Sequence, residues 1–224
     1  MKEPASGAKR GPFITFEGLD GSGKSTQLRL LAARLREHGH KVLETREPGG
    51  TPLGEEIRRL ALEEREEAPA PRAELGLMFA ARADHCARRI EPARAQGIWV
   101  LCDRFTDASE AYQGAGRSLG GELVRQLHRV LCPESWPDLT FFLDVEIATC
   151  LERSRQRLRR EASREGRFES ETEEFFRKVR DGYLEIQKRE PARFRIIAAE
   201  GEVYDVAGKI WNEVEAWRNA EAKQ

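Results

Sequence analysis

At 224 residues the chain has room for one α/β domain that buries roughly 70% of its unfolded surface, and no second domain is needed. Its 38 lysines and arginines nearly cancel 39 aspartates and glutamates, so no overall field draws it to nucleic acid or an anionic membrane, and a charged partner must be recognised locally. Cys86, Cys102, Cys132 and Cys150 are widely spaced, with no C-x-x-C pair and no histidine cluster beside them; they give a zinc site or disulfide framework little support and read as buried thiols of a reducing compartment.

From Met1 to Gly11 there are two lysines and one arginine but no apolar stretch behind them, so the segment is no secretory signal. It is expected to be a disordered tail over 1–11, ahead of a single domain over 12–224. No run approaches the roughly 18 apolar residues of a membrane span, and a cytoplasmic protein without membrane partners is expected. A first strand, Phe13 to Phe16, feeds the loop Gly18-Leu19-Asp20-Gly21-Ser22-Gly23-Lys24-Ser25, and Thr26 continues into a helical pattern from Lys24 to His38. Strand, G-x-x-x-x-G-K-[ST] and helix together make a phosphate-binding loop. The glycines let backbone N–H groups converge on an anion, the helix start adds its positive dipole end, and Lys24 reaches the β and γ phosphates of a nucleoside triphosphate.

Further strands are predicted at Lys41 to Thr45, Ile98 to Cys102, Leu139 to Val145 and Arg195 to Ala198. Helices are predicted over Pro52 to Leu62, Ala73 to Ala95, Glu122 to Leu131, Ile147 to Arg160, Thr172 to Arg189 and Val206 to Arg218. Such alternation predicts a mainly parallel sheet, whose ligands sit beyond the carboxyl ends of the strands. In the helix from Ala73, Leu75, Met78, Phe79, Arg82 and Cys86 recur at helical spacing, so one face points inward and its arginine needs a partner.

The second strand is followed by Arg46-Glu-Pro48-Gly-Gly50-Thr51 and the third by Asp103-Arg104-Phe105. Asp103, beside the phosphate loop, can join the Ser25 hydroxyl in holding magnesium. Arg46 and Arg104 look like a clamp for a second phosphate, because the loop already serves the nucleotide's own phosphates. A phosphate acceptor is itself the nucleophile, so catalysis reduces to positioning and charge neutralisation. The arginine-rich stretch Arg153 to Arg167 suits that demand: Arg153, Arg157, Arg160 and Arg164 share one helical face, Arg155 and Arg159 another. A solvated basic helix eased by Glu152, Glu161 and Glu165 is the alternative. Nucleic-acid binding is disfavoured, since no aromatic interrupts the stretch before Phe168.

Together the phosphate loop, the Arg46 to Thr51 turn, Met78-Phe-Ala-Ala-Arg82, Asp103-Arg-Phe105, Ser109-Glu-Ala-Tyr-Gln-Gly114 and Arg117 resemble the thymidylate kinase family from Phe13 to about Glu190. The resemblance implies a three-layer P-loop nucleoside monophosphate kinase fold with a parallel five-stranded sheet. It implies γ-phosphoryl transfer from ATP to dTMP with Mg2+, and a homodimer, as family members commonly form. It assigns Phe79 to stack on thymine, Arg82 to donate to a ring carbonyl, and Gln113 to bond the base edge, with Ser109 nearby. Tyr112 would crowd the sugar's 2′ position, Asp20 would meet the 3′-hydroxyl, and Arg46 and Arg104 would hold the acceptor phosphate.

Some members carry an arginine after the acidic residue of the loop, where this chain has Gly21, which passes that task to a lid at about 152–169. Gly166-Arg167-Phe168-Glu169, ahead of Glu173-Glu-Phe-Phe176, resembles the end of the bacterial lid and makes Arg153 and Arg167 catalytic candidates beside Lys24, Asp103 and Arg104. Phe105 and Ala108 replace the tyrosine and serine of many members. A deoxynucleoside kinase with Glu47 as base is the alternative; a regulatory GTPase lacks its N-K-x-D motif here, and a non-catalytic module would not need Asp103 and the lid arginines.

Overall fold

The computed structural model describes residues 10–63, 66–161, 167–168 and 171–221. Five strands, β1 Phe13–Glu17, β2 Val42–Arg46, β3 Trp99–Asp103, β4 Leu139–Asp144 and β5 Phe194–Ala198, make a parallel sheet in the order β2-β3-β1-β4-β5. Every residue of the central β1 is buried, as expected for a strand covered on both faces. Its side chains alternate between two helical layers. Ile14 and Phe16 join the cluster of Leu28, Leu31 and Leu35 from α1 (Lys24–Glu37) and of Ile210, Trp211 and Val214 from α9 (Val203–Glu221). Phe13 packs the opposite way with Val100, Cys102, Cys86, Ile90 and Phe105.

That second layer holds α3 Pro71–His85, a π-helical turn Cys86–Ile90, α4 Glu91–Ala95, and α6 Gly121–Leu131. The helix expected from Ala73 to Ala95 is thus helical throughout but widened ahead of Pro92, which brings no N–H and whose ring would crowd the carbonyl one turn back. The remaining helices are α2 Pro52–Leu62, α5 Thr106–Ser109, α7 Ile147–Glu161 and α8 Glu173–Arg189. α5 runs into a second π-helical segment, Glu110–Gly116. No helix was expected there, because Gly114 and Gly116 weaken local propensity. Packing against α8 supports it: a Cβ on Gly182 would stand 2.9 Å from the Ala115 Cβ and 3.1 Å from the Ala111 Cα.

β1, β2 and β3 each end one residue later than predicted, so Glu17, Arg46 and Asp103 are ladder residues, with Arg46 and Phe16 both in register with Asp103. At the other end, Gly11 donates to Arg94 O at 2.8 Å and accepts from Arg94 Nε at 3.0 Å, so the tail expected over 1–11 is already held at Gly11. Residues 1–9 of that tail, and 162–166 (with Arg164 and Glu165) and 169–170 of the expected lid, lie outside the described residues.

Glu17 turns from β1 into the α8 layer and is fully buried. Its Oε1 accepts the Phe105 N–H at 2.8 Å and its Oε2 the Tyr183 hydroxyl at 2.9 Å. Burial, and then the Asp107 charge, push the carboxyl from 4.5 up to about 8, against the pull of Arg104 and these two donors. A pKa raised on folding gives stability that is complete below about 4.5 and is lost as pH rises through about 8. Glu17→Gln keeps an acceptor and a donor without that titration. The melting temperature of the wild type should therefore fall relative to Glu17→Gln between pH 5 and pH 8, by on the order of 5 °C; a difference independent of pH in thermal melts would contradict this.

Candidate active site

The carboxyl ends of β1, β2 and β3 open into a cleft of about 600 Å³. Gly18, Gly21 and Gly23 all have positive φ, which turns the loop so that its amides converge ahead of α1. Lys24 is 5% exposed and folds back to donate to Leu19 O at 2.8 Å. Burial and the Arg104 charge lower the pKa of its ammonium, while Asp20 and Asp103 oppose them; an anion arriving at the loop would favour the charged form. Ser25 donates to Asp103 Oδ2 at 2.5 Å, so the two expected metal ligands meet. This pair of hard oxygens at the phosphate end fits Mg2+, which takes one or two protein oxygens and draws the rest from phosphates and water.

The turn after β3 is unusual. Arg104 has φ 68°, a left-handed backbone that costs a non-glycine residue about 1 kcal/mol or more. Both flanking amides are pinned to β1: Arg104 N–H on Phe16 O at 2.9 Å and Phe105 N–H on Glu17. The Arg104 guanidinium consequently swings over the loop, 3.0 Å from Asp20 Oδ2, and donates to the Tyr112 hydroxyl at 3.2 Å. Burial pushes the Asp20 carboxyl up, but Arg104, Lys24 and Arg157 hold it well below the usual carboxylate range. Arg157 of α7 lines the cleft, 3.9 Å from Asp20.

Arg82 is 2% exposed. Its Nε donates to Glu47 Oε2 at 2.7 Å, and its Nη2 donates to Phe105 O and Ser109 Oγ at 3.0 Å. The partner expected from a base carbonyl is therefore supplied first by Glu47, whose Oε1 faces His85 Nδ1 at 2.9 Å. Nη1 of Arg82 is buried and finds no acceptor among the described residues. Burial raises the Glu47 carboxyl, yet Arg82 and His85 bring it net below its ordinary value. Tyr112, Gln113 and Ser109 all reach the cleft wall.

Phe79 does not. It packs with Leu75 and Val124 behind Arg82, whose Cζ lies 4.6 Å from its ring. Among the apolar side chains that do line the cleft are Met78, Phe105, Tyr112 and Phe168. Arg46 lines the cleft but is 55% exposed and donates to Glu55 at 2.9 Å. Arg153 is exposed and, like Arg167, is not on the cleft wall. Arg167 is instead buried, donating to Ala61 O at 2.6 Å and Glu74 Oε2 at 2.8 Å. Arg58, on the wall and donating to Pro48 O at 3.0 Å, was missed in the sequence, where nothing sets it apart from its neighbour Arg59 in α2.

A family model described as thymidylate kinase matches residues 16–210. The thymidylate kinase of Trichlorobacter lovleyi is 47% identical over 199 residues, covering 88% of this chain and 94% of the relative. That of Nitrosospira multiformis is 49% identical over 201 residues, covering 90% and 95%. A crystal structure of thymidylate kinase from Ehrlichia chaffeensis superposes with a TM-score of 0.73 at 34% identity, covering 92% of this chain and 99% of that one. Matched in sequence and fold over nearly its whole length, the chain belongs to the thymidylate kinase family.

Proposed function

We infer how this ATP-dependent dTMP kinase divides its cleft between donor and acceptor. The loop amides and Lys24 hold the donor phosphates of ATP, and Ser25 with Asp103 would hold Mg2+. When bound, magnesium neutralises charge on the β and γ phosphates. Arg104, with Arg46 at the rim, holds the phosphate of dTMP, whose oxygen attacks without a general base. Asp20 meets the sugar, Tyr112 crowds its 2′ position, and Arg82, Gln113 and Ser109 serve the base. Met78 and Phe105 take the place of Phe79 as the apolar surfaces offered to thymine. Among the arginines of α7, Arg157 stands on the cleft wall and is the best placed to meet charge on the transferring phosphoryl group; Arg153 and Arg167 are second to it.

The observation that carries this reading is the strained turn that aims Arg104 at Asp20, above the phosphate loop, in a cleft with separate phosphate and base ends. It also counts against the deoxynucleoside kinase alternative, because both oxygens of Glu47 are engaged and its carboxylate is stabilised. A homodimer is proposed on the exposed apolar side chains Leu53 and Leu60 of α2 and Val130 and Leu131 of α6. A cytoplasmic location is proposed too; no helix among the described residues is long and apolar enough to cross a membrane.

ADP release measured with thymidine, dTMP, dUMP and AMP should be fastest with dTMP and should need Mg2+; a preference for thymidine overturns the acceptor assignment. Arg104→Ala should raise the KM for dTMP and lower kcat, since a positioning contact also sets reaction geometry. Arg157→Ala should lower kcat by roughly 10²-fold with little change in KM for ATP, and Arg153→Ala by much less; equal losses in steady-state kinetics would remove the distinction. Light scattering should give twice the mass of one chain.

A further inference from the structure

Glu74 of α3 is 1% exposed, is absent from the cleft wall, and gathers donors from three directions. Gln113 Nε2 donates to its Oε1 at 2.7 Å, while Arg167 Nη1 and Arg117 Nε donate to its Oε2 at 2.8 and 3.4 Å. An ionised carboxylate only accepts, whereas a carboxamide has one face that donates and one that accepts. Glu74 therefore decides which way the Gln113 amide is turned: Nε2 toward α3 and Oε1 toward the cleft. That oxygen accepts no hydrogen bond among the described residues, although Gln113 as a whole is 2% exposed.

Arg82 lines the same cleft as Gln113, and its Nη1 is a buried donor without an acceptor among the described residues. One fixed acceptor and one fixed donor form a code. A thymine or uracil edge offers an N3–H between two carbonyls, so the N–H can donate to Gln113 Oε1 and a carbonyl can accept from Arg82. Cytosine offers an unprotonated N3 and an amino group, which sets acceptor against acceptor and donor against donor. Unpaired polar groups in a closed site are costly, which is how such sites reject an analogue of nearly the same shape.

We propose that Glu74 is a positioning residue for base selection, pinning the Gln113 carbonyl toward the cleft so that the enzyme takes imide pyrimidines and refuses cytosine. The proposal rests on the assignment of dTMP as acceptor and of Gln113 to the base. In Glu74→Gln the new amide can donate to Gln113, which frees the Gln113 amide to turn and offer its N–H.

The test is the ratio of kcat/KM for dTMP to kcat/KM for dCMP, measured with ATP and Mg2+. The wild type should favour dTMP and dUMP strongly over dCMP, and Glu74→Gln should cut the ratio at least about tenfold. A purely structural role would lower activity on dTMP and dCMP in parallel and leave the ratio where it was, and that result overturns the proposal. Exchanging the pair, Glu74→Gln with Gln113→Glu, keeps the charge count should the single variant fail to fold. It again presents an oxygen to the cleft, so it should retain the dTMP preference; an exchanged enzyme that accepts dCMP equally overturns the proposal, as does a wild type that does so. A wild type inactive on both dTMP and dUMP defeats the acceptor assignment instead.

Discussion

The buried carboxyl of Glu17 is the joint on which the site is built. β1 is the middle strand of the sheet, and Glu17 is its last residue before the phosphate loop. Through one oxygen it fixes the Phe105 amide and through the other the Tyr183 hydroxyl, so the sheet, the turn after β3 and α8 meet at one side chain. The turn needs that support, because a left-handed arginine persists only where its surroundings over-determine it. Removing the accepting oxygen would leave a buried N–H unpaired, at a cost of about 1–3 kcal/mol, and would release the backbone that aims Arg104. The phosphate loop and the Arg104 turn are therefore held in one frame by a residue that does not itself line the cleft.

Around that frame the protein neutralises its cations before a substrate arrives. Arg104 faces Asp20, Arg82 faces Glu47, and Arg46 faces Glu55. The Arg82–Glu47 pair, buried on both sides, gives little net stability, since desolvation offsets most of the attraction; Arg46–Glu55 is exposed and gives little because solvent screens it. The pairs also preorganise the site: the Arg82 and Arg104 guanidiniums are already largely desolvated and oriented, so little reorganisation remains when an anion or a carbonyl binds. The gradation in exposure follows the division of labour. Arg82, proposed to serve the base, is nearly fully buried, Arg104 is partly open, and Arg46, proposed to meet the acceptor phosphate, sits at the rim.

What could be read from the sequence was local. The phosphate loop is contiguous, and its glycines, lysine and serine each act through their own backbone or side chain. The strand ends were legible because an apolar run stops at a charge, although Glu17, Arg46 and Asp103 belong inside the ladder. Rotation about a helix axis was not legible. Met78 and Phe79 both fall on the inward face of α3, and about 100° of turn separates them; only the packed helix decides that Met78 lines the cleft while Phe79 enters the cluster behind Arg82. Position along the axis was not legible either: Arg153 and Arg157 share a face one helical turn apart, and only Arg157 lines the cleft. Glu74 gave no signal, since its partners Gln113, Arg117 and Arg167 are remote in the chain, and the segment from Thr106 to Gly116 is helical through contact with α8 rather than through its own propensities.

Gly21 joins these strands of argument. Its positive φ already favours glycine, but the tighter limit comes from α7: a Cβ there would stand 2.2 Å from Cys150 O and 3.1 Å from the Arg153 Cβ. An arginine at this place in the loop is thus incompatible with α7 lying where it does, and the two solutions to charge neutralisation exclude each other sterically. Because the loop has no side chain there, α7 can dock on it, and docking brings Arg157 to within 3.9 Å of Asp20. The residue that appeared only as an absence in the loop is what leaves room for α7, on which the proposed catalytic cation Arg157 stands.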